Sequence, residues 1–329
     1  MFTGFKTEKY LFGDPNNSGS LGMFARRAFW RLIKPLPDRL YIILKYLTIL
    51  GRVPNLRSPA RFTEKIQVRK LEDRDPRLGP LVDKHDAKRF VAEKIGAKYV
   101  IPSFWVGDDL SKIDWDTITF PVIVKPTHAS ALGRILNGIE DAKEFVEDNP
   151  VPVWLATDHA SINREWAYSQ IKPRVLIEKL LAHGEELPPT YRFYVFKGQV
   201  ACVDVDFRQN GTDYTSFRRP DWSHIPVVDR DFYGKMIEDL PTPPLLGEML
   251  DLAATLGADF DFVRVDLYAS DDWIKFSELT FYPSGGFAVF DPPSFDEELG
   301  RQWTEALNEK KQPGTLPDPG ETTALKKTG

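Results

Sequence analysis

Two short strands near the C-terminal end constrain this chain most. Residues 262–268 and 274–281 are apolar at alternate positions and rich in β-branched and aromatic side chains, with Asp271-Asp272 between them. Such alternation makes a hairpin with one face on a core and the other toward a polar space. In the first strand Val263, Val265 and Leu267 share a face, and Arg264, Asp266 and Tyr268 share the other. In the second, Ser277, Leu279 and Phe281 share a face, opposite Phe276, Glu278 and Thr280. A three-residue loop puts Asp266 across from Glu278 and Arg264 across from Thr280, whereas a slip of one residue separates the carboxylates. Opposed carboxylates repel unless something positive lies between them. A hard cation such as Mg2+ or Mn2+ suits these oxygen ligands. A solvated outer face with Arg264 as counter-ion suits them too. The following Tyr282-Pro283-Ser284-Gly285-Gly286 favours the cation, because a Gly-rich turn lets backbone N–H groups meet an anion.

Upstream, Asp83 is placed to cap a helix running through Ile95, with Ala87, Phe90, Val91 and Ile95 at helical spacing and Gly96 as its stop. Lys84 falls in the first turn of that helix. Residues 120–125 form an apolar strand ending in Lys125 before Pro126, and residues 174–181 form another, interrupted by Glu178-Lys179. A lysine on an apolar strand either has a partner or snorkels to solvent. Glu178 at such a place can accept a hydrogen bond from an exocyclic amine, or be an exposed strand end. Residues 191–196 and 199–207 read as a hairpin turning at Lys197-Gly198, and residues 245–256 as an amphipathic helix ended by Gly257. Arg164, Trp166, Arg192, Arg208, Arg218 and Arg219 are candidates for an acceptor site. Arginine's planar fork matches carboxylates, and Trp stacks on sugar faces. Arg192 leads, because it shares a strand face with Tyr194 and Phe196, where an unpaired charge is costly.

The 329 residues are 42 % apolar and 28 % charged, enough for a substantial core. A net charge of −5 lacks the domain-wide basic excess of a nucleic-acid binder. Cys202 is the only cysteine, which excludes an intramolecular disulfide and fits a reducing compartment. Its apolar neighbours make it a strand residue rather than a nucleophile. Residues 1–20 lack the apolar core of a secretory signal, so a cytoplasmic location is expected. Residues 1–60 read as a helical N-terminal extension broken by Pro35, Pro37, Pro54 and Pro59. The apolar run 40–50 contains Lys45 and is too short to span a bilayer. Basic residues with Phe24, Phe29 and Trp30 precede it, so residues 24–50 suit either a helix packed on the main domain or peripheral contact with an anionic membrane. Residues 306–329 read as a disordered tail.

In order and spacing these pieces resemble the ATP-grasp superfamily, and within it the TupA-like ATP-grasp family, named for teichuronopeptide biosynthesis. The matching stretches are Phe62-Thr63-Glu64-Lys65-Ile66-Gln67, Leu81-Val82-Asp83-Lys84, Arg164-Glu165-Trp166, Ile171-Lys172-Pro173-Arg174 with Ile177-Glu178-Lys179, and Phe262-Val263-Arg264-Val265-Asp266 with Glu278-Leu279-Thr280-Phe281. They span about residues 58–303. The resemblance implies an α+β fold of two subdomains sandwiching ATP, with N-terminal and small subdomains over 61–182 and a C-terminal subdomain over 183–305. It implies that Lys84 and Lys125 contact ATP phosphates, that Glu178 lies near the adenine amine, and that Lys179 and Leu180 supply the hinge backbone. It implies that Asp266 and Glu278 hold Mg2+ or Mn2+. Thr280 stands where many members have an Asn ligand. Arg264 matches an arginine that stabilises developing charge in transfer. The loop after Lys125 reads Pro126-Thr127-His128-Ala129-Ser130-Ala131-Leu132-Gly133, with alanines in place of expected glycines. His128 and Ser130 remain as phosphate ligands, while a Cβ at the alanines restricts close wrapping. The resemblance implies a carboxylate–amine ligase working through an acyl phosphate, on a uronic acid or amino acid of a surface glycan. Ser284 and Gly285 join Arg192, Arg164 and Trp166 on the substrate side. A kinase acting on a hydroxyl and a non-catalytic nucleotide- or glycan-binding module are the alternatives.

Overall fold

The computed structural model describes residues 28–130, 132–181, 186–230 and 234–309. Helix α1 (28–33) and α2 (Asp38–Leu50) lead into α3 (Phe62–Glu72), α4 (Leu78–Val82) and α5 (Ala87–Ile95). Then come β1 (Ser103–Gly107), β2 (Val122–Pro126), β3 (Arg134–Leu136), α6 (Ile139–Asp148), α7 (Val151–Leu155), α8 (His159–Asn163) and β4 (Val175–Lys179). The second half holds β5 (Thr190–Phe196), β6 (Gln199–Gln209), β7 (Thr212–Arg218), β8 (His224–Ile225), β9 (Val228–Asp229) and β10 (Lys235–Met236). It closes with α9 (Leu246–Gly257), β11 (Val263–Ala269), β12 (Ile274–Thr280), β13 (Phe290–Asp291) and α10 (Ser294–Glu309).

These elements form an α+β fold. A small antiparallel sheet has the order β1-β4-β2-β3, and a larger one has the order β10-β7-β6-β5-β11-β12, with β8 beside β7. Val122, Val124, Leu136, Val175 and Ile177 of the small sheet bury against Phe145 of α6 and Trp154 of α7. In the larger sheet the β5–β6 turn has positive φ at both Lys197 and Gly198, as a two-residue hairpin of right-handed twist requires. Helix α9 lies on the face of Val195 and Val263, so close that a Cβ on Gly257 would sit 2.4 Å from Val195 Cγ1. The opposite face carries Tyr194, whose ring lies 5.7 Å from that of Phe62 on α3. Phe62 also meets Phe262 and Trp303 of α10 at 4.9 and 5.8 Å. Truncating it to Ala would cost roughly 3–5 kcal/mol, the usual loss for a buried aromatic.

Two expectations need correction. Helix α10 continues to Glu309, past the expected start of a tail at 306, because Phe295, Leu299, Trp303 and Ala306 form one buried stripe. Residues 310–329 lie outside the described part. Also, α5 begins at Ala87, and Asp83 follows α4. Asp83 Oδ1 accepts the N–H groups of His85 (2.8 Å) and Asp86 (2.9 Å), so Lys84 sits in a carboxylate-pinned turn before the helix. One short polar side chain satisfies two amides there, which competes with an earlier helical start.

The N-terminal segment is tied down by polar contacts. Glu64 accepts from the amides of Asn55, Ala60 and Arg61, and Asp296 accepts from Thr63 and Arg52. Buried Lys45 of α2 donates to the Ile162 carbonyl (2.8 Å) and Asn163 Oδ1 (2.7 Å) at the end of α8.

Candidate active site

The polar face of β11–β12 has the anticipated pairs, reached by a different route. Asp266 stands opposite Glu278 and Arg264 opposite Thr280. The loop between the strands has four residues rather than three, since Ala269 pairs with Ile274, and a bulge restores the register between Asp266 and Leu267. The bulge also corrects the expected parity: Phe276 pairs with Leu267 and is buried in the core, not beside Glu278. An extra residue in one strand re-aims the side chains beyond it.

Arg264 bridges the pair. Its Nε and Nη2 donate to the two oxygens of Asp266 at 2.8 and 2.6 Å, and Nη2 reaches Thr280 Oγ1 at 3.2 Å. Glu278 Oε1 lies 3.6 Å from the same nitrogen and accepts from Thr280 Oγ1 at 3.2 Å. Burial lifts the Asp266 carboxyl to about 6 despite the guanidinium, with Glu278 adding to the rise. Burial also pushes Glu278 up, but Lys84, Arg264 and Lys125 outweigh it and hold Glu278 below its ordinary value. Two carboxylates and a hydroxyl are hard oxygen donors, so the set fits Mg2+. Among the described residues no group of three or more His, Cys, Asp or Glu gathers to hold a metal. A cation here would therefore complete its shell with phosphate oxygens and water.

The small sheet holds the reverse arrangement. Buried Glu178 on β4 forms ion pairs with Lys125 of β2 and, at 2.7 Å, with Lys88 of α5. Burial opposes ionisation of Glu178, but the two ammonium groups prevail and its carboxyl lies below the usual range. Burial likewise pulls Lys125 down, and Glu178 more than compensates, leaving it above its ordinary value. Lys84 joins the two sheets. Its Nζ lies 3.7 Å from Glu278 Oε2 and donates to the Ala129 carbonyl at 3.0 Å.

The loop after β2 is thus pinned by Lys84, whose own amide donates to Thr127 O at 3.1 Å. Ala129 and His128 are buried and Ser130 is exposed, while Ala131 lies outside the described residues. His128 Nε2 is 3.2 Å from Thr157 O, and burial holds the imidazole below its ordinary pKa. The N–H groups of Lys179 and Leu180 donate to the carbonyls of Pro102 and Pro121. The backbone N–H groups of these two residues are therefore already used, and the Glu178 carboxylate expected to meet an amine is shared between lysines.

The acceptor candidates scatter. Arg192 is on the same sheet face as Asp266, directly opposite it, but its guanidinium is held by Asp204 (3.0 Å) and Asp206 (2.5 Å). Arg164 is turned to the N-terminal segment, donating to Lys34 O at 2.6 Å and pairing with Asp38 at 3.1 Å. Trp166 lies under Arg74, 5.4 Å from its guanidinium. Arg208 pairs with Asp213 at 3.7 Å, buried Arg218 holds the Ile237 and Glu238 carbonyls, and Arg219 reaches His224 O at 3.4 Å. In the Gly-rich turn, Ser284 is exposed and Gly285 has φ +60°. The Gly285 N–H closes the turn onto Tyr282 O at 2.8 Å rather than pointing at an anion, and its carbonyl accepts from buried Lys70 at 2.6 Å. A Cβ there would sit 2.5 Å from Asn163 Nδ2, so only glycine fits.

Sequence reasoning missed Lys88, Asp204, Asp206 and His159. Lys88 is four positions after Lys84, and Asp204 and Asp206 alternate with Val203 and Val205, so their spacing is visible in the sequence. His159 carried no such signal. Burial, with Lys84 and His128 nearby, lowers it to about 4, and its ring packs on Tyr168 at 4.7 Å.

A family model described as TupA-like ATPgrasp matches residues 64–304. No curated protein matches the chain. Among solved structures, D-alanine–D-alanine ligase from Bacillus anthracis is similar at 16 % identity and a TM-score of 0.43, over 71 % of this chain and 69 % of that one. The ATP-grasp ligase PsnB, complexed with a phosphomimetic variant of its minimal precursor, Mg and ADP, is similar at 15 % identity and a TM-score of 0.40, over 91 % and 75 %. The N5-carboxyaminoimidazole ribonucleotide synthetase purK is similar at 12 % and 0.37, over 61 % and 45 %.

Proposed function

The chain belongs to the TupA-like ATP-grasp family, and we propose that it is an ATP-dependent ligase that joins a carboxylate to an amine through an acyl phosphate. One observation carries the reading: a lysine-rich wall on the small sheet meets a carboxylate pair on the large sheet, with Lys84 at 3.7 Å from Glu278 between them. Phosphates need the first wall and their cation the second.

In this reading Lys84 and Lys125 bind phosphate oxygens, with His128 and Ser130 on the same loop. The carbonyls of Lys179 and Leu180 accept from the exocyclic amine of the base, beside Glu178. Asp266, Glu278 and Thr280 would hold Mg2+ or Mn2+, which supplies charge neutralisation to the phosphates. Arg264 meets the charge that develops as phosphate leaves. Its fork is engaged by both Asp266 oxygens in the free protein, so the same carboxylate that would hold a cation also positions the guanidinium. No protein nucleophile is required, and buried Cys202 is held well above its ordinary pKa by burial.

The family resemblance supports a uronic acid or amino acid of a cell-surface polysaccharide or its precursor as the substrate. Of the acceptor candidates, Arg192 lies opposite Asp266 and is retained as a support of the acceptor side, with Ser284 and Gly285 in the turn after β12, whereas Arg164 and Trp166 are engaged elsewhere and drop out of this reading. This reading has the protein act in the cytoplasm, with peripheral membrane contact through residues 24–50, of which 24–27 lie outside the described part. No described helix is long and apolar enough to cross a membrane. The test is phosphate release from ATP against a panel of uronic acids and amino acids, with mass detection of the conjugate. Amine-dependent release with an amide product supports the ligase. A stable phosphorylated product replaces it with a kinase, and ATP binding without turnover replaces it with a binding module.

A further inference from the structure

Surface helices usually bury an apolar stripe and turn a charged one outward. Helix α2 does not. Its inner face buries Tyr41, Ile42, Lys45 and Tyr46. Its outer face carries Leu40, Ile43 and Leu47, spaced i, i+3 and i+7, with Leu40 and Leu47 44 % and 40 % exposed and Leu44 beside them half-buried against the Ile33–Tyr41–Ile42 cluster. Leu32 of α1 (76 % exposed) and Val53 just beyond α2 (63 %) are further exposed apolar residues of the same N-terminal segment. Exposed Arg31, Lys34 and Arg39 border it. Between residues 28 and 50 the sequence has four Lys and Arg, one of them the buried Lys45, against one acid, Asp38, in a chain of net charge −5. That acid is paired with Arg164 at 3.1 Å.

We propose that the outer face of α2, with Leu32 and its basic border, is a docking surface for an anionic lipid bilayer. The choice of partner rests on charge complementarity. An apolar stripe flanked by cations matches a surface whose acyl boundary accepts leucines and whose headgroups carry negative charge. The inference rests on the peripheral contact named above and deepens it by giving the face that makes it, and it uses no residue of the cleft.

The full chain is sedimented with vesicles of phosphatidylcholine alone and with vesicles containing about 30 % phosphatidylglycerol. Binding is expected on the anionic vesicles, at least about tenfold weaker on neutral ones, and weakened by salt. Two double variants, Leu40→Glu with Leu47→Glu and Arg31→Glu with Lys34→Glu, should each lose at least about tenfold in vesicle affinity, with unchanged circular dichroism and ATP turnover. Wild-type protein that stays in the supernatant with anionic vesicles overturns the proposal. So do variants that bind like wild type, or a wild-type dimer abolished by the leucine changes without any vesicle binding.

Discussion

Two buried carboxylates, Glu178 on the small sheet and Asp266 on the large one, sit in opposite surroundings. Glu178 has two ammonium partners, Lys125 and Lys88, and its carboxyl lies below the usual range. Asp266 shares one guanidinium with Glu278, and burial lifts it to about 6. Desolvation acts on both groups, so the excess of neighbouring charge sets the direction. Without ligand, one wall of the cleft keeps a positive surplus and the other a negative one. That asymmetry is what a polyphosphate and its cation would each find complementary.

The sharpest way to break this division is Asp266→Asn. Turnover should fall about 10³-fold, as when a group acting on developing charge is lost. ATP affinity by calorimetry should stay within about threefold, because the lysine wall is intact. Equal losses in binding and turnover would mean that the two walls do not divide the work.

Next in size is a stability effect at Lys45, a buried cation lacking the carboxylate contact that Lys125 enjoys. Burial, opposed by Glu165, lowers it to about 8 from 10.5. The folded state therefore binds fewer protons than the unfolded state between those values. Stability should rise with pH from about 8 to about 10.5, by roughly 3 kcal/mol, and below about 8 the whole penalty is present. Urea denaturation of wild type and Lys45→Met across that window checks it: the difference between them carries the slope, and parallel curves would contradict it.

Lys125→Met removes one ammonium from Glu178 and leaves Lys88. The expected loss is about 10- to 50-fold in ATP affinity, the weight of one charged hydrogen bond, with kcat at saturating ATP much less affected. Calorimetry and steady-state kinetics together separate this from the Asp266 effect. The smallest change concerns the loop. Ala129→Gly should lower thermal stability by about 0.4–1 kcal/mol through added unfolded-state freedom. Its KM for ATP should move less than about threefold, because Lys84 already pins the Ala129 carbonyl. A large fall in KM would show that the missing glycines limit loop closure.

Much of the site was legible because strand parity is a local property. The alternation of Arg264, Asp266 and Val265 placed the polar face, and the pairing with Glu278 and Thr280 followed. The bulge that buries Phe276 was not legible, since a bulge depends on how a strand meets its neighbours. Arg192 illustrates the same limit. Its strand position was readable, but its engagement by Asp204 and Asp206 arises from pairing with β6.

The sequence by itself determined which residues alternate, where lysines interrupt apolar strands, and that the N-terminal segment is basic and apolar. These are properties of the local chain, expressed through periods of 2 and 3.6 residues. Only the tertiary structure decided which charges meet. Lys88 was brought to Glu178 across 90 positions, Lys84 to Glu278 from the other sheet, and Arg164 away from the cleft to Asp38. The physical reason is that a buried charge must find a partner wherever packing leaves one within reach, and sequence distance does not measure that reach.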